Sequence, residues 1–262
     1  MALRLGVIGS PISHSLTPRL QRAALDYLGL QGTSETVEVR GDDSELSRAL
    51  ASFDALSVTM PLKEVALRHC AVLDPVAQRI GAVNSIIRRD SGIEGRSTDG
   101  AGLLDALEHQ YRFAAAGSTC VVRGSGGAAK AVVDALAFAG ATKIALLARN
   151  ETTARVIADK YANVVTNPSE VRAIDLVVNT IPFSETAEAT EPLTADLNYH
   201  DEAIFVDIIY DPRESPWLLH HRHLHRRTQN GLLMLVHQAR YQLEWWLDAS
   251  IPIEVLFDAV NI

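Results

Sequence analysis

Val121-Val122-Arg123-Gly124-Ser125-Gly126-Gly127-Ala128-Ala129-Lys130 is an apolar strand end, a glycine turn and the first turn of a helix. It fits the pattern G-x-G-x-x-A, in which glycines permit a tight turn and let backbone N–H groups approach a pyrophosphate at a helix N-terminus. A Gly/Ala-rich turn also occurs where a helix simply packs close to a strand. The order strand, turn, helix favours the dinucleotide reading, with Gly124, Ser125, Gly126, Gly127 and Ala128 as the cradle. An NAD site usually places Asp or Glu at the end of the next strand to hold the ribose 2′-OH. Here that strand ends Leu147-Ala148-Arg149-Asn150, with Arg155 a little further on. Two guanidiniums suit a 2′-phosphate, so the predicted cofactor is NADP.

Outward from this turn, strand-like and helix-like stretches alternate. Thr119 to Val122, Lys143 to Leu147, Asp175 to Asn179 and Ile204 to Ile208 read as strands; Gly126 to Ala139 and Thr152 to Tyr161 read as helices. The same alternation occupies the first hundred residues, with strands at Leu3 to Ile8, Thr36 to Val39 and Ala55 to Val58 and helices from Thr17 and over Glu45 to Phe53. A helix over Gly100 to Tyr111 and a polar break at Ala114 to Ser118 separate the two runs. The fold class is therefore α/β, with two lobes in series: a mostly parallel N-terminal sheet and a Rossmann-type nucleotide domain. The expected boundaries are 1–101 and 102–233. The helical stretches Leu232 to Trp246 and Ile253 to Val260 are expected to return to the first lobe, so that 234–262 completes it. Hinge-like crossings near Gly100 and Gly231 and a cleft between the lobes are expected.

Composition bounds the partners. The 262 residues carry 24 basic against 32 acidic side chains, a formal net charge of −8, which argues against a nucleic-acid or membrane-surface binder. No apolar run approaches the roughly 20 residues of a membrane-spanning helix. The chain runs straight from Met1 into a strand-like segment rather than a signal peptide. Cys70 and Cys120 form no CxxC pair, which fits a reduced, cytoplasmic protein with no thiolate metal site. His220, His221, His223 and His225 crowd a basic segment, but no carboxylate or cysteine joins them at ligand spacing, so an exposed surface and no metal are expected.

Polar residues gather where strands of the first lobe end. Ser15 and Thr17 lie in Ser13-His14-Ser15-Leu16-Thr17-Pro18, near a helix N-terminus that suits a carboxylate. Thr59 and Lys63 lie in Val58-Thr59-Met60-Pro61-Leu62-Lys63-Glu64, Asn84 follows Gly81-Ala82-Val83, and Asp99 lies in Thr98-Asp99-Gly100. Taken singly, Thr17 and Asp99 also read as helix caps and Lys63 as a solvated charge.

Together these stretches resemble the shikimate dehydrogenase family, as do Asp207, Tyr210 and Pro212 and the run Gly231-Leu232-Leu233-Met234-Leu235-Val236-His237-Gln238-Ala239. The matches follow in order over nearly the whole chain. The resemblance implies reversible NADPH-dependent reduction of 3-dehydroshikimate to shikimate, in the synthesis of chorismate and aromatic amino acids, by a monomer or homodimer. It implies Lys63 and Asp99 as the catalytic pair. Ser15 and Thr17 would hold the substrate carboxylate with Tyr210 as a further contact, Thr59, Asn84 and Gln238 would meet ring hydroxyls, and Thr180 and Gly231 would join the cofactor contacts. The chemistry agrees: hydride delivered to a ring carbonyl leaves an oxygen that needs a proton, which an ammonium can give and a neighbouring carboxylate can aim. The chain departs from the family pattern at Thr17 (usually Ser), Gln21 (usually His) and Ser97 (usually Asn). Its Gly-Ser-Gly-Gly turn and Ala-Arg-Asn strand end look more like the divergent members. The alternative reading is an oxidoreductase of quinate or a related cyclic hydroxy acid.

Overall fold

The computed structural model describes residues 2–182 and 197–262. Its first half contains β1 (Leu3–Gly9), α1 (Thr17–Tyr27), β2 (Gly32–Glu38), α2 (Asp43–Ser52), β3 (Ala55–Val58), α3 (Lys63–Leu67), β4 (Val72–Leu73), α4 (Pro75–Ile80), β5 (Ser85–Arg89), β6 (Gly92–Arg96) and α5 (Asp99–Tyr111). There follow β7 (Thr119–Arg123), α6 (Gly127–Phe138), β8 (Lys143–Leu147), α7 (Glu151–Ala158), β9 (Val164–Val165), β10 (Ile174–Asn179), β11 (Tyr199–Asp207), α8 (Pro216–His223), β12 (Arg227–Gln229), α9 (Leu232–Leu247) and α10 (Ile253–Val260). The chain divides into two compact units, one of Met1–Gly102 with Leu235–Ile262 and one of Leu103–Met234. Both divisions fall inside a helix, α5 and α9 respectively.

The first unit holds a sheet of order β2-β1-β3-β5-β6-β4. β1 runs parallel to β2 and β3, whereas β5 is antiparallel to both β3 and β6. The stretches around Asn84 and Thr98 were expected at the carboxyl ends of parallel strands, and this is corrected by the hairpin. Asn84 precedes an antiparallel strand, whose start lies at the same edge as the ends of β1 and β3. β6 then runs back and delivers Thr98 and Asp99 to that edge. The hairpin turn is Asp90-Ser91, and Gly92, which opens β6, has φ +121°, a conformation that side chains with a Cβ rarely adopt. β2 begins four residues earlier than its apolar run suggests. It is an edge strand exposed along most of its length, so polar Thr33 and Glu35 belong there. α10 packs on α1, and Ile8, Leu46, Leu50, Phe53, Leu56, Val58 and Leu62 form a buried core.

The second unit holds an all-parallel sheet of order β12-β11-β10-β7-β8-β9. Numbered within the unit this is 3-2-1-4-5-6, the doubly wound Rossmann order, and it reverses between β7 and β10. Its strands are buried on both faces and read as continuous apolar runs: Cys120-Val121-Val122, Ile144-Ala145-Leu146 and Leu176-Val177-Val178. The histidine-rich segment, expected to be exposed, is only partly so. His221 turns inward from α8 and stacks on Phe205 with ring centroids 4.0 Å apart, because the helix needs an apolar face against β11. Among the described residues no group of His, Cys, Asp or Glu is placed to hold a metal ion, and no helix is long and apolar enough to cross a membrane.

Candidate active site

Lys63 is the first residue of α3, set by the turn Met60-Pro61-Leu62, whose Leu62 is fully buried. Its Nζ donates to Asp99 Oδ2 at 2.6 Å, and both side chains are largely buried. Asp99 opens α5, so its carboxylate also lies at the positive end of that helix. The other carboxylate oxygen, Oδ1, accepts from Asn84 Nδ2 at 2.7 Å. Asn84 is fixed in turn by Thr98, whose backbone N–H donates to Asn84 Oδ1 at 2.8 Å. Gln238 reaches the same cluster from α9: its Oε1 accepts from Asn84 Nδ2 at 3.0 Å, and its backbone carbonyl accepts from Thr98 Oγ1 at 3.1 Å. Lys63, Asp99, Asn84 and Gln238 thus meet in one hydrogen-bonded cluster.

The remaining expected substrate residues are placed differently. Thr59 follows β3, with its methyl against Gly9, where a Cβ would come within 2.4 Å of it. Ser15 Oγ accepts from the Thr17 backbone N–H at 3.3 Å, so Ser15 rather than Thr17 supplies the hydroxyl at the start of α1. Thr17 is buried, and the residue at its cap position, Leu16, makes no side-chain cap. Tyr210 belongs to the second unit.

Sequence reading missed Gln242 and Ser57. Gln242, one helical turn after Gln238, donates from Nε2 to Gln238 Oε1 at 2.6 Å, and Ser57 Oγ donates to Gln242 Oε1 at 2.5 Å. Gln21, noted only as a departure, continues this chain through Ser57. The i, i+4 spacing of Gln238 and Gln242 on one helix was the available signal.

In the second unit the glycine turn has the shape a dinucleotide needs. Gly124 has φ +116°, and a Cβ on it would meet Thr180 Oγ1 at 2.3 Å. Thr180 is tied to the same turn, its N–H and Oγ1 both donating to the Arg123 carbonyl at 2.9 and 2.7 Å. Gly126 caps α6 without a side-chain hydrogen bond, and a Cβ there would meet nothing within 4 Å. No side chain caps the first N–H groups of α6, and the space beside Gly126 is open, which suits a cradle of the kind that binds phosphates. The turn lies at the end of β7, where the strand order reverses. Arg149 is exposed and makes no hydrogen bond or ion pair with the described residues, whereas Arg155 lies 3.6 Å from Glu151 on its own helix. Gly231 is packed so closely that a Cβ would overlap the Ile208 carbonyl, and its N–H donates to Ile209 O at 2.8 Å. The donor set fits a phosphorylated dinucleotide.

Comparison with known proteins agrees with this geometry. The family described as the shikimate dehydrogenase substrate binding domain matches residues 7–86. A protein of Moorella thermoacetica named shikimate dehydrogenase (NADP(+)) is 34% identical over 270 residues, covering 96% of this chain and 90% of its own. The crystal structure of shikimate 5-dehydrogenase from Thermus thermophilus in complex with NADP(H) and shikimate superposes with a TM-score of 0.87 at 30% identity, over 99% of this chain and 98% of that one. The ligand-free 5-ketofructose reductase of a Gluconobacter strain has a TM-score of 0.78 at 25% identity, over 100% and 98%. An identity of 34% that runs through nearly the full length of both chains, on the same two α/β units, places this chain in the shikimate dehydrogenase family.

Proposed function

We propose that this protein is an NADP-dependent shikimate dehydrogenase that interconverts 3-dehydroshikimate and shikimate, in the synthesis of chorismate and aromatic amino acids. The observation that carries the reading is the Lys63–Asp99 pair, 2.6 Å apart and embedded in the Asn84, Thr98 and Gln238 cluster. NADPH, when bound, supplies the hydride, and NADP+ takes it back. In the reductive direction the carbonyl oxygen gains negative charge as its carbon accepts hydride, and the Lys63 ammonium gives that oxygen a proton. In the oxidative direction the neutral amine takes the hydroxyl proton. Asp99 holds Nζ in place through Oδ2 while Asn84 occupies Oδ1, so the carboxylate is oriented at both oxygens. Ser15, Thr17 and Tyr210 are the proposed carboxylate contacts, and Thr59 and Gln238 the proposed hydroxyl contacts. Asn84 is 2% exposed and its amide nitrogen faces Asp99, Gln238 and Thr98 Oγ1, which supports a role in holding these groups more than in touching substrate. The glycine turn with Thr180, Arg149 and Arg155 is the proposed NADP site; Arg149, without a partner among the described residues, is the better placed for the 2′-phosphate. Both cysteines are free, Cys70 half-buried and Cys120 buried, with their thiols pushed up to about 11 and about 12 by burial, which supports a reducing, cytoplasmic setting.

The test is the kcat/KM of the purified protein for shikimate and quinate, each with NADP+ and NAD+. Shikimate with NADP+ is expected to be the best pair, and no turnover of shikimate with either nucleotide would refute the assignment. The second reading, a related cyclic hydroxy acid as substrate, draws on the likeness to a protein named for a different ketone and on the extra methyl of Thr17. Quinate exceeding shikimate in kcat/KM would establish it.

A further inference from the structure

A buried line of amides and hydroxyls runs from Asp99 to β2 through Asn84, Gln238, Gln242, Ser57 and Gln21, and its hydrogen-bond direction can be deduced from both ends. At one end the Thr98 N–H faces the Asn84 side chain at 2.8 Å, so that atom is the amide oxygen. The nitrogen then faces the Asp99 carboxylate at 2.7 Å, as a donor must. The same nitrogen lies 3.0 Å from Gln238, which has to present its oxygen. Gln242 approaches that oxygen at 2.6 Å and the Asn84 carbonyl at 3.1 Å, so it presents nitrogen to both. At the other end Gln21 faces the Gly6 carbonyl at 3.0 Å and therefore presents nitrogen. That nitrogen also donates to Ser57 Oγ at 3.2 Å, leaving the single Ser57 proton for Gln242 Oε1 at 2.5 Å. The two deductions agree at Gln242.

We infer that Gln242 is a positioning residue that locks the Gln238 amide with its oxygen turned inward, so that Gln238 meets a substrate hydroxyl only as a donor. Gln238 Oε1 is taken by Asn84 and Gln242, and one Nε2 hydrogen is taken by the Leu235 carbonyl at 2.9 Å. The second Nε2 hydrogen is what remains for a ligand. Without Gln242 the Gln238 oxygen loses its closest donor and keeps the longer bond from Asn84 at 3.0 Å, so the amide turns more readily to present either group. The hydroxyl that Gln238 recognises must therefore accept from it, which makes Gln242 a determinant of specificity although it is 1% exposed. This inference rests on Gln238 being a substrate contact, as proposed above.

Two substitutions test it. Gln242→Met keeps length and removes both hydrogen-bonding atoms. Gln242→Glu keeps the shape, and its neutral carboxyl still offers one O–H to Gln238 and one oxygen to Ser57, whereas the ionised form has no donor. Burial raises the pKa of a glutamate placed there, so the neutral form is reached at moderately acid pH. The Met variant is expected to raise KM for shikimate by about tenfold, the loss of roughly one hydrogen bond, with KM for NADP+ unchanged and kcat changed much less. The ratio of kcat/KM in the Glu variant to wild type is expected to rise as pH falls and to exceed that of the Met variant once the carboxyl is neutral, whereas a merely space-filling role would leave the Met variant at least as active. Activity-independent readout comes from the Gln238 side-chain amide protons in NMR spectra, assigned through Gln238→Glu. They are expected as two well-separated, slowly exchanging signals in wild type and as merged or fast-exchanging signals in the Met variant. Should the Met variant fail to fold, Ser57→Ala removes the donor that fixes Gln242 and is expected to give the same changes. A pH-independent ratio together with unchanged Gln238 signals overturns the inference. If wild type does not turn over shikimate, the proposed function fails, and the amide signals alone decide the role of Gln242.

Discussion

At the scale of single residues, the proposed mechanism rests on Lys63. On that proposal its proton is needed as charge develops on the substrate oxygen, so its loss falls on kcat more than on binding. Lys63→Ala is expected to lower kcat by about 10²–10⁴-fold with shikimate still bound, measured by steady-state kinetics and by shikimate titration. Asp99→Asn keeps the shape but places an amide against Asn84 Nδ2 and Lys63 Nζ, both donors. It should also lower kcat, and the double variant should lose less than the product of the single losses, since residues acting as a unit are not additive. Near-normal kcat in Lys63→Ala would assign the proton to another group. On the cofactor side, Arg149→Ala is expected to raise KM for NADPH by about tenfold or more while leaving NADH nearly unaffected, because only NADPH carries the 2′-phosphate. Equal effects on both nucleotides would remove Arg149 from the site. These residues could be read from the sequence because each lies beside a short motif. Gln242 could not, since its i, i+4 spacing from Gln238 shows only a shared helix face until its partners, Ser57 and Asn84, are known.

Elements decide how those residues are presented. The turn between β7 and α6 works only with glycine at 124, where the backbone takes φ +116° and Thr180 Oγ1 fills the space of a Cβ. Gly124→Ala incurs both strain and a clash, together of order 1–3 kcal/mol. It should weaken NADP+ binding by about tenfold or more in calorimetric titration, while the chemical step in single turnover at saturating NADP+ stays close to wild type. Undiminished affinity would show that the turn does not cradle the nucleotide. The long apolar strands of the second unit were legible because burial on both faces leaves a continuous hydrophobic run, and β8 matches its expected limits, Lys143–Leu147. The β5–β6 hairpin was not, although Asp90-Ser91-Gly92 is a turn signal. Its strands are only five residues long, and a short run does not show whether it pairs parallel or antiparallel. That direction is what brings Asn84 to the edge where Lys63 lies.

For the whole molecule, stability follows from two units with separate cores, and the second carries a buried imidazole. Burial first, and then the charges of Arg226, His220 and Arg123, push His221 down from 6.5 to about 3. The unfolded chain takes up a proton at this histidine below about pH 6.5, and the folded protein does so only near pH 3. The unfolded state therefore binds more protons in that window, and His221 makes stability fall as pH drops from 6.5 towards 3. His221→Phe keeps a ring on Phe205 and is expected to flatten this part of the curve in melting temperature measured from pH 7 to pH 4. Parallel curves for variant and wild type would show that His221 does not stay neutral. By itself, the sequence determined what local chemistry encodes: the alternation of strands and helices, the glycine turn with an arginine in place of an acid, and the motifs bearing Lys63 and Asp99. Only the tertiary structure decided that Gln238 and Gln242, more than 130 residues after Asp99, close over it in one directed chain of hydrogen bonds, and that His221 turns inward. Periodicity reports which face of an element is apolar, whereas the partners of a buried polar group are set by strand direction and helix return across the fold.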